Sequence, residues 1–251
     1  MGSPLATRYR AQVEYDGSNY YGFQRQRDEF STIQGELERV LTDLARHPVT
    51  ITAAGRTDSG VHALGQIISF TIEWRHGEGA LQRAMNAKLP EDIAILSLEE
   101  TSNSFHPRFD ARRRAYLYQV YNMPVRSPLQ RSRSWHVARE IDVQAMNMAA
   151  SFLVGRHDFA TFGLPPQGDS TVREVYEASW LREAPLLVFQ IVANAFLYRM
   201  VRSIVGSLVA VGTGAWTAEE FVAAFQEQDR NRSAAAAPPQ GLYLASIFYE
   251  D

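Results

Sequence analysis

Alternating and periodic hydrophobic positions divide the first half of the chain into short strands and helices. Residues 9–15 alternate between apolar and polar side chains, as a strand with one buried face does. In residues 32–47 the apolar side chains recur every three or four positions, which predicts an amphipathic helix that Ser31 caps and Pro48 ends. The same reasoning predicts strands at residues 49–54, at 64–72 and around Ile93 and Ile95, and a helix at 81–88.

The second half of the chain repeats this order of elements. A strand through Tyr116, Tyr118 and Val120 precedes a helix at residues 142–154, which Gly155 ends. The remaining predicted elements are strands at 172–182 and 186–193, a helix at 196–211, a short helix with a Thr217–Glu220 capping box, and a strand at 242–249. Each half therefore has the order βαββαβ of the split βαβ motif. We expect an α+β fold of two ferredoxin-like halves, residues 1–105 and 106–251, with mostly antiparallel sheets joined around a central cleft.

Composition restricts the kinds of chemistry available to the chain. It has 251 residues, of which 45% are hydrophobic, so it can bury a substantial core. It contains no cysteine, which excludes disulfides, thiol nucleophiles and thiolate metal ligands. Because no apolar run could span a bilayer and no signal-peptide pattern is present, we expect a cytoplasmic protein without a membrane partner.

Positive charge is concentrated in one stretch of the sequence. The formal net charge is −3, yet residues 108–139 contain eight arginines and one acid, Asp110, which gives this window a charge of +7 (8 − 1). Guanidinium groups match phosphate oxygens and stack on bases. The window is typical of a surface that binds a polyanion, and a solvated strand surface is the alternative interpretation.

The most informative motif is Gly-Arg-Thr-Asp-Ser-Gly-Val-His-Ala at residues 55–63. Small and β-branched residues precede it and alternating apolar residues follow it, so we expect a loop between two strands. Asp58 then lies beside Arg56 at the loop tip, where Gly55 and Gly60 would supply backbone angles that other residues avoid. An ionised aspartate can attack an anomeric carbon. A hairpin turn whose aspartate bonds its own backbone is the alternative.

The sequence lacks the complete motifs of several familiar kinds of site. Residues 55–60 have the spacing of a phosphate-binding loop, but Val61 and His62 occupy the positions that require lysine and serine or threonine. No complete dinucleotide fingerprint and no nucleophile elbow occur. The six histidines lack paired spacing, so we expect no metal site.

Two other segments combine aromatic and arginine side chains. Tyr116 and Tyr118 share one face of a predicted strand, where one ring could stack on a base, and Tyr118 is better explained as a core residue. Arg199 and Arg202 are three residues apart on the predicted helix, so one could turn inward to pair with a carboxylate. The alternative interpretation is that both arginines are charged residues on the surface.

Together these motifs resemble the TruA family of tRNA pseudouridine synthases over nearly the whole chain. The resemblance extends from the 55–63 loop to residues 15–17, 22–26, 32–37, 86–90, 105–109, 196–206 and 237–242. It implies that Asp58 is the catalytic aspartate and Arg202 its basic partner. It also implies that Tyr116 stacks on the target uracil and that Arg56 helps to extrude the nucleotide. Candidates for contacts with the RNA backbone are Arg25, Arg108, Arg112, Arg113 and Arg114.

The resemblance also implies an activity and partners. Members isomerise uridines 38–40 in the anticodon stem-loop of tRNA to pseudouridine, and a base in a duplex must be flipped out before such chemistry. The resemblance implies a homodimer and no cofactor. Two other function classes stay open, a non-catalytic RNA-binding module and an Asp-dependent glycoside or nucleoside hydrolase that releases free uracil.

Overall fold

The computed structural model describes residues 6–27, 29–165 and 168–250. Within this part of the chain, packing defines two compact units, residues 6–112 with 244–250 and residues 113–243. These units are defined by packing, whereas the predicted domains, residues 1–105 and 106–251, follow the order of elements along the chain. The division into those two domains therefore stays a prediction.

The first unit has the predicted ferredoxin-like order of elements. Along the chain these are β1 (Ala6–Tyr15), α1 (Ile33–Ala45), β2 (Thr52–Ala53), β3 (His62–Glu73), α2 (Glu78–Asn86) and β4 (Ile93–Glu100). The strands pair antiparallel in the order β4-β1-β3, and β2 also pairs antiparallel with β3. On β1 the alternation places Tyr9, Val13 and Tyr15 in the core. The predicted α+β class is confirmed here.

The second unit repeats the first five elements of this order, with two short additional strands and one additional helix. Its elements are β5 (Arg113–Tyr121), β6 (Trp135–His136), α3 (Val143–Ser151), β7 (Gly155–Asp158), β8 (Val172–Glu183), β9 (Leu186–Ala193), α4 (Met200–Gly212) and α5 (Ala218–Gln226). The antiparallel order is β5-β9-β8-β7, and β6 pairs parallel with β5. Strand β10 (Leu242–Phe248) begins in the second unit and continues in the first. Strands as short as β6 and β7 leave too few alternations for a sequence pattern to detect.

The predicted ends of α1 were wrong by a few residues. Thr32, and not Ser31, is the N-cap, because its hydroxyl accepts a hydrogen bond from the Gly35 backbone N–H at 3.2 Å. The helix ends at Ala45, and Arg46 adopts the left-handed conformation with φ 63°. A residue that precedes proline is disfavoured in the helical region, so the helix stops before residue 47 is reached.

The predicted start of α4 was also wrong. The helix begins at Met200 and not at Phe196, because the Tyr198 N–H donates to the Leu164 carbonyl at 2.8 Å in an extended bridge. Arg199 is the N-cap residue in the left-handed conformation, with φ 62°. Arg199 therefore lies outside the helix and does not share a helix face with Arg202, while the predicted pairing of Arg202 with a carboxylate stays a prediction.

Apolar faces of the helices form the cores of the two units. Helix α1 buries Ile33, Leu37, Val40 and Leu41 and packs on α2 and β3. In the second unit, aromatic rings of α5 meet those of the segment before β8, as in the stacked Phe162–Phe221 pair at 5.7 Å. None of the helices among the described residues is long and apolar enough to cross a bilayer.

Candidate active site

Asp58 lies on an ordered loop of the first unit, between β2 and β3. We call residues 54–61 the Asp58 loop. The Asp58 carbonyl accepts a hydrogen bond from the Val61 N–H at 3.1 Å, which closes a tight turn. Gly60 takes the third position of this turn with φ 77°, an angle that glycine adopts without strain. The predicted loop between strands is confirmed, and the Asp58 side chain is half-buried.

The prediction that Gly55 needs an unusual backbone angle was wrong. Gly55 is not among the glycines with positive φ, and a Cβ atom there would make only an ordinary contact, 3.8 Å from Leu244 Cδ2. Gly55 is instead held by a side chain. The Gly55 N–H donates to Gln66 Oε1 at 3.3 Å, and Gln66 Nε2 donates to the Gly55 carbonyl at 2.9 Å.

Gln66 therefore replaces a backbone partner where the chain leaves the sheet. Residues Thr52 and Ala53 pair with β3, and the Ala54 N–H still donates to the Ile67 carbonyl at 2.9 Å. At Gly55 the fully buried amide of Gln66 takes over both backbone groups. The Gln66 side chain spans a wider gap between the two backbones than a direct backbone hydrogen bond does. The Asp58 loop therefore departs from the sheet while Gly55, at its base, stays hydrogen-bonded.

The tip of the Asp58 loop is attached to the segment that follows β1. The hydroxyls of Tyr15 and Thr57 are hydrogen-bonded at 2.7 Å in a buried position. The Phe23 N–H donates to the Thr57 carbonyl at 3.0 Å, and the Ser59 hydroxyl donates to the Tyr20 carbonyl at 3.1 Å. Both neighbours of Asp58 are thus hydrogen-bonded to residues 20–23 and β1, which fixes the backbone that carries the carboxylate.

Two glycines allow this segment to lie directly against the Asp58 loop. A Cβ atom on Gly17 would be 2.0 Å from the Val61 carbonyl oxygen, and one on Gly22 would be 2.8 Å from the Thr57 carbonyl oxygen. Gly22 also has φ 89°. The glycines of residues 15–17 and 22–26 are therefore needed for close backbone packing beside Asp58.

Replacing Gln66 tests whether its hydrogen bonds to Gly55 stabilise the first unit. We expect Gln66→Met to lower the free energy of unfolding by about 2–4 kcal/mol, because the Gly55 N–H and carbonyl lose buried partners. The measurement is urea unfolding followed by circular dichroism.

Gln82→Met is the matched control for this substitution. Gln82 also makes two hydrogen bonds to backbone, at the carbonyls of Ile95 and Leu96, but it is only half-buried, and Asn86 donates to the Ile95 carbonyl as well. We expect Gln82→Met to cost less than about 1 kcal/mol, since water replaces the lost donor. Equal losses for the two variants would contradict the special role of Gln66.

Arg56 and Arg25 occupy different environments in the first unit. Arg56 is exposed beside Thr57. The Arg25 guanidinium is 3.0 Å from the Glu38 carboxylate, and Glu38 is buried on α1. The other oxygen of Glu38 accepts hydrogen bonds from Gln34 Nε2 and from the Ile51 N–H. Arg25 is therefore the counterion of a buried carboxylate, and its predicted contact with RNA stays a prediction.

The rings of Tyr116 and Tyr118 differ in burial: the first is partly accessible and the second lies in the core. In the second unit Tyr116 is half-buried, and its ring meets that of Phe196 edge to face at 4.8 Å. Tyr118 is fully buried, and its hydroxyl donates to the Pro238 carbonyl at 2.7 Å. Burial raises the pKa of Tyr118, which the charge of Arg202 opposes. The assignment of Tyr118 to the core is confirmed.

Arg202 is held on α4 by the segment before β10. Its Nε donates to the Ala237 carbonyl at 2.7 Å, and its own carbonyl accepts from the Ala237 N–H at 2.9 Å. A Cβ atom on Gly206 would be 2.0 Å from the Ala235 carbonyl oxygen, so the segment lies against the helix at this glycine. The segment before β10 is therefore packed on α4, with Ala237 buried.

The remaining arginine candidates differ in how they are held. Arg108 and exposed Arg112 lie in the first unit, where the Arg112 N–H donates to the Phe248 carbonyl at 2.8 Å. Arg113 lies over the Tyr176 ring at 5.7 Å, and Arg114 donates to the Asn194 carbonyl at 2.9 Å. Their predicted contacts with an RNA backbone stay predictions.

Sequence reasoning missed the residues that hold the Asp58 loop. Gln66, Tyr15 and Thr57 act through hydrogen bonds at sequence separations of 11 and 42 residues, which no local pattern indicates. A polar Gln66 among the apolar residues of β3 was the available signal. In the described ranges, 6–27, 29–165 and 168–250, no three His, Cys, Asp or Glu side chains group as metal ligands do.

Comparisons with known proteins agree with the motifs of the sequence. The family model described as tRNA pseudouridine synthase matches residues 11–110 and 149–250. The tRNA pseudouridine synthase A of Aeromonas hydrophila is 42% identical over 238 residues, which cover 94% of this chain and 88% of that protein. The proteins of the same name from Dictyoglomus turgidum and Shewanella piezotolerans are each 40% identical, covering 97% and 95% of this chain and 100% and 92% of theirs.

A solved Cbf5-Nop10-Gar1 complex is also similar, with 12% identity, a TM-score of 0.33, and coverage of 80% of this chain and 54% of that chain. This similarity is too low to add to the sequence comparisons. The family model extends over both units and includes the Asp58 loop and the helix with Arg202, and the Dictyoglomus protein matches 97% of the chain. The chain belongs to the TruA family of tRNA pseudouridine synthases, which are isomerases.

Proposed function

We propose that this protein converts uridines 38–40 in the anticodon stem-loop of tRNA to pseudouridine by a reaction that depends on Asp58. The observation that carries the proposal is the Asp58 loop, in which one carboxylate stands on a turn fixed by hydrogen bonds on both sides. Preorganised groups of this kind accelerate reactions because little reorganisation is needed when charge develops. The names of the relatives, tRNA pseudouridine synthase A, support tRNA as the substrate.

Each candidate side chain has a role that suits its environment. Asp58 promotes cleavage of the bond between N1 and C1′ of the target uridine. Tyr116 stacks on the uracil, since its half-buried ring is supported on one side by Phe196, and stacking contributes roughly 1–3 kcal/mol per base. Arg202 is the basic partner of the aspartate, and exposed Arg56 takes part in extruding the nucleotide.

The reaction conserves the atomic composition of the substrate. The N1–C1′ bond breaks, the uracil turns within the site, and a bond forms between C5 and C1′. C5 then loses its proton and N1 gains one, so the reaction needs no oxidant, reductant or group donor. The proposal therefore invokes no cofactor.

Extrusion of the target nucleotide requires compensation from the rest of the RNA. Flipping a base out of a stem costs a few kcal/mol. Contacts between phosphates and arginines offset this cost, and the candidates are Arg25, Arg108, Arg112, Arg113 and Arg114. A homodimer acting in the cytoplasm completes the proposal, by analogy with the family.

Tritium release from tRNA with tritium at C5 of uracil tests the proposed function. We expect the protein to release tritium into water from uridines 38–40 while the mass of unlabelled tRNA stays unchanged, because isomerisation exchanges one C–N bond for a C–C bond. A tRNA with cytidine at those three positions is the control substrate.

Two outcomes would contradict the proposal in different ways. Free uracil in the product, with a matching loss of RNA mass, would identify a hydrolase. Binding of tRNA without tritium release would identify a non-catalytic RNA-binding module.

A further inference from the structure

The loop between β5 and β6 presents arginines and apolar side chains to solvent. We call residues 122–134 the arginine loop. Val125 and Leu129 are 75% and 85% exposed, more than any other large hydrophobic residue among those the structure describes. The three arginines of the loop are all exposed; they are Arg126, Arg131 and Arg133. The surface is thus cationic with an apolar tip.

Hydrogen bonds to backbone carbonyls hold the arginine loop in place. At its base, Asn122 Nδ2 donates to the carbonyls of Val137 and Arg139, at 2.9 and 2.8 Å. The ring of His136 bonds the Met123 carbonyl through Nε2 at 2.8 Å. At the end of the loop the Tyr243 hydroxyl donates to the Arg133 carbonyl at 2.7 Å.

Turns within the loop add to this fixation. The Gln130 N–H donates to the Ser127 carbonyl at 3.1 Å, and both the N–H and the hydroxyl of Ser134 donate to the Gln130 carbonyl. These bonds use backbone groups and uncharged side chains, and only the Arg131 guanidinium makes a long contact, 3.4 Å from the Pro128 carbonyl. Among the described residues, the arginine loop is therefore held in place without ion pairs to its arginine side chains.

The charges of the arginine loop are not compensated locally. No acidic residue occurs in the sequence between Asp110 and Glu140. In the part of the chain that the structure describes, Arg126, Arg131 and Arg133 form no ion pair, whereas Arg25, Arg39 and Arg232 do. Since the whole chain has a net charge of −3, a local excess of positive charge on a fixed loop favours an anionic partner.

We propose that the arginine loop is a tRNA-binding surface, in which Arg126, Arg131 and Arg133 contact phosphates of the RNA. The inference rests on the proposed function, which supplies a polyanionic partner. Guanidinium groups bind phosphate oxygens bidentately, and a preformed loop loses little conformational entropy on binding. Val125 and Leu129 contact the sugars between those phosphates. The loop contributes to affinity and not to the chemical step.

The test compares two triple variants that remove the same charge. One carries Arg126→Gln, Arg131→Gln and Arg133→Gln. The control carries Arg46→Gln, Arg75→Gln and Arg83→Gln, which are exposed arginines of the first unit. Binding of unmodified tRNA is measured by fluorescence anisotropy at several KCl concentrations, together with the kcat and KM of tritium release and the unfolding midpoint in urea.

We expect the loop variant to bind tRNA at least about tenfold more weakly and to reduce the slope of log K against log salt by about 2, since each lost phosphate contact removes roughly 0.7–0.9. Its KM rises, and its kcat and unfolding midpoint stay at the wild-type values. The control variant changes the slope by less than about 1.

The outcomes separate this inference from the proposed function. A loop variant with the slope and KM of the control would overturn the inference while wild-type activity leaves the proposed function intact. A loop variant whose sedimentation mass falls while its tRNA affinity is unchanged would also overturn it, because the surface would then bind a second copy of the chain. Absence of tritium release by the wild-type protein would overturn the proposed function itself.

Discussion

Asp58→Asn is expected to abolish tritium release from tRNA while tRNA binding persists. The substitution keeps the size of the side chain and removes its negative charge. The turn survives, because the backbone carbonyl of Asp58, and not its carboxylate, accepts the bond from Val61. We expect kcat to fall by at least about 10³-fold, which corresponds to roughly 4 kcal/mol of lost transition-state stabilisation.

Asp43→Asn provides the matched control for this experiment. Asp43 lies on α1 in the same unit, is exposed, and pairs with Lys88 at 2.8 Å. The neighbouring ammonium group lowers the pKa of Asp43, so the same chemical change removes a charge there as well. A surface ion pair contributes little to stability because water and salt screen it, and full activity is expected. An active Asp58→Asn protein would remove the aspartate from the mechanism and favour a binding module.

The order of elements could be predicted from the sequence because each element has its own local pattern. Alternation predicted β1 and β5, and the Thr217–Glu220 capping box that begins α5 is present with both of its hydrogen bonds. The Asp58 loop was predicted as a loop because strand patterns end on both sides of it. In each case the interactions that determine the structure lie within a few residues of one another.

The errors occurred where a distant segment decides the local structure. Helix α4 starts four residues later than predicted. The reason is that Leu164 pairs with Tyr198, more than thirty residues further along the chain. Gly55 was expected to matter for its backbone angle, but the side chain of Gln66 determines its position. The pairing of Arg25 with the buried Glu38 was not foreseen, and the predicted contact of Arg25 with RNA stays a prediction. Long-range hydrogen bonds and ion pairs of this kind have no signature in one sequence.

Gly17→Ala is expected to disrupt the candidate active site although residue 17 carries no reactive group. Its added Cβ would lie 2.0 Å from the Val61 carbonyl oxygen and 2.8 Å from the Val61 carbonyl carbon. Both are backbone atoms, so either the segment after β1 or the Asp58 loop must move. The Gly17 N–H also donates to Nδ1 of the buried His62 at 3.1 Å, and this bond is lost when the two segments separate.

The size of the effect follows from how little freedom the neighbours have. Steric overlap with backbone and loss of a buried hydrogen bond together lower the free energy of unfolding by about 3 kcal/mol or more. We also expect kcat to fall at least about 100-fold, because a displacement of about 1 Å at a reacting group has this effect. Urea unfolding and tritium release measure the two quantities.

Gly79→Ala separates this effect from the general consequences of replacing glycine. Gly79 lies on α2, and a Cβ atom there would meet only the flexible end of Arg83, at 3.4 Å. Alanine is favoured over glycine inside a helix by about 0.5–1 kcal/mol, so this variant should be slightly more stable and fully active. If Gly17→Ala matched Gly79→Ala in both measurements, the Asp58 loop would tolerate displacement of its backbone. Fixation of the carboxylate by the segment after β1 would then be unnecessary for the reaction.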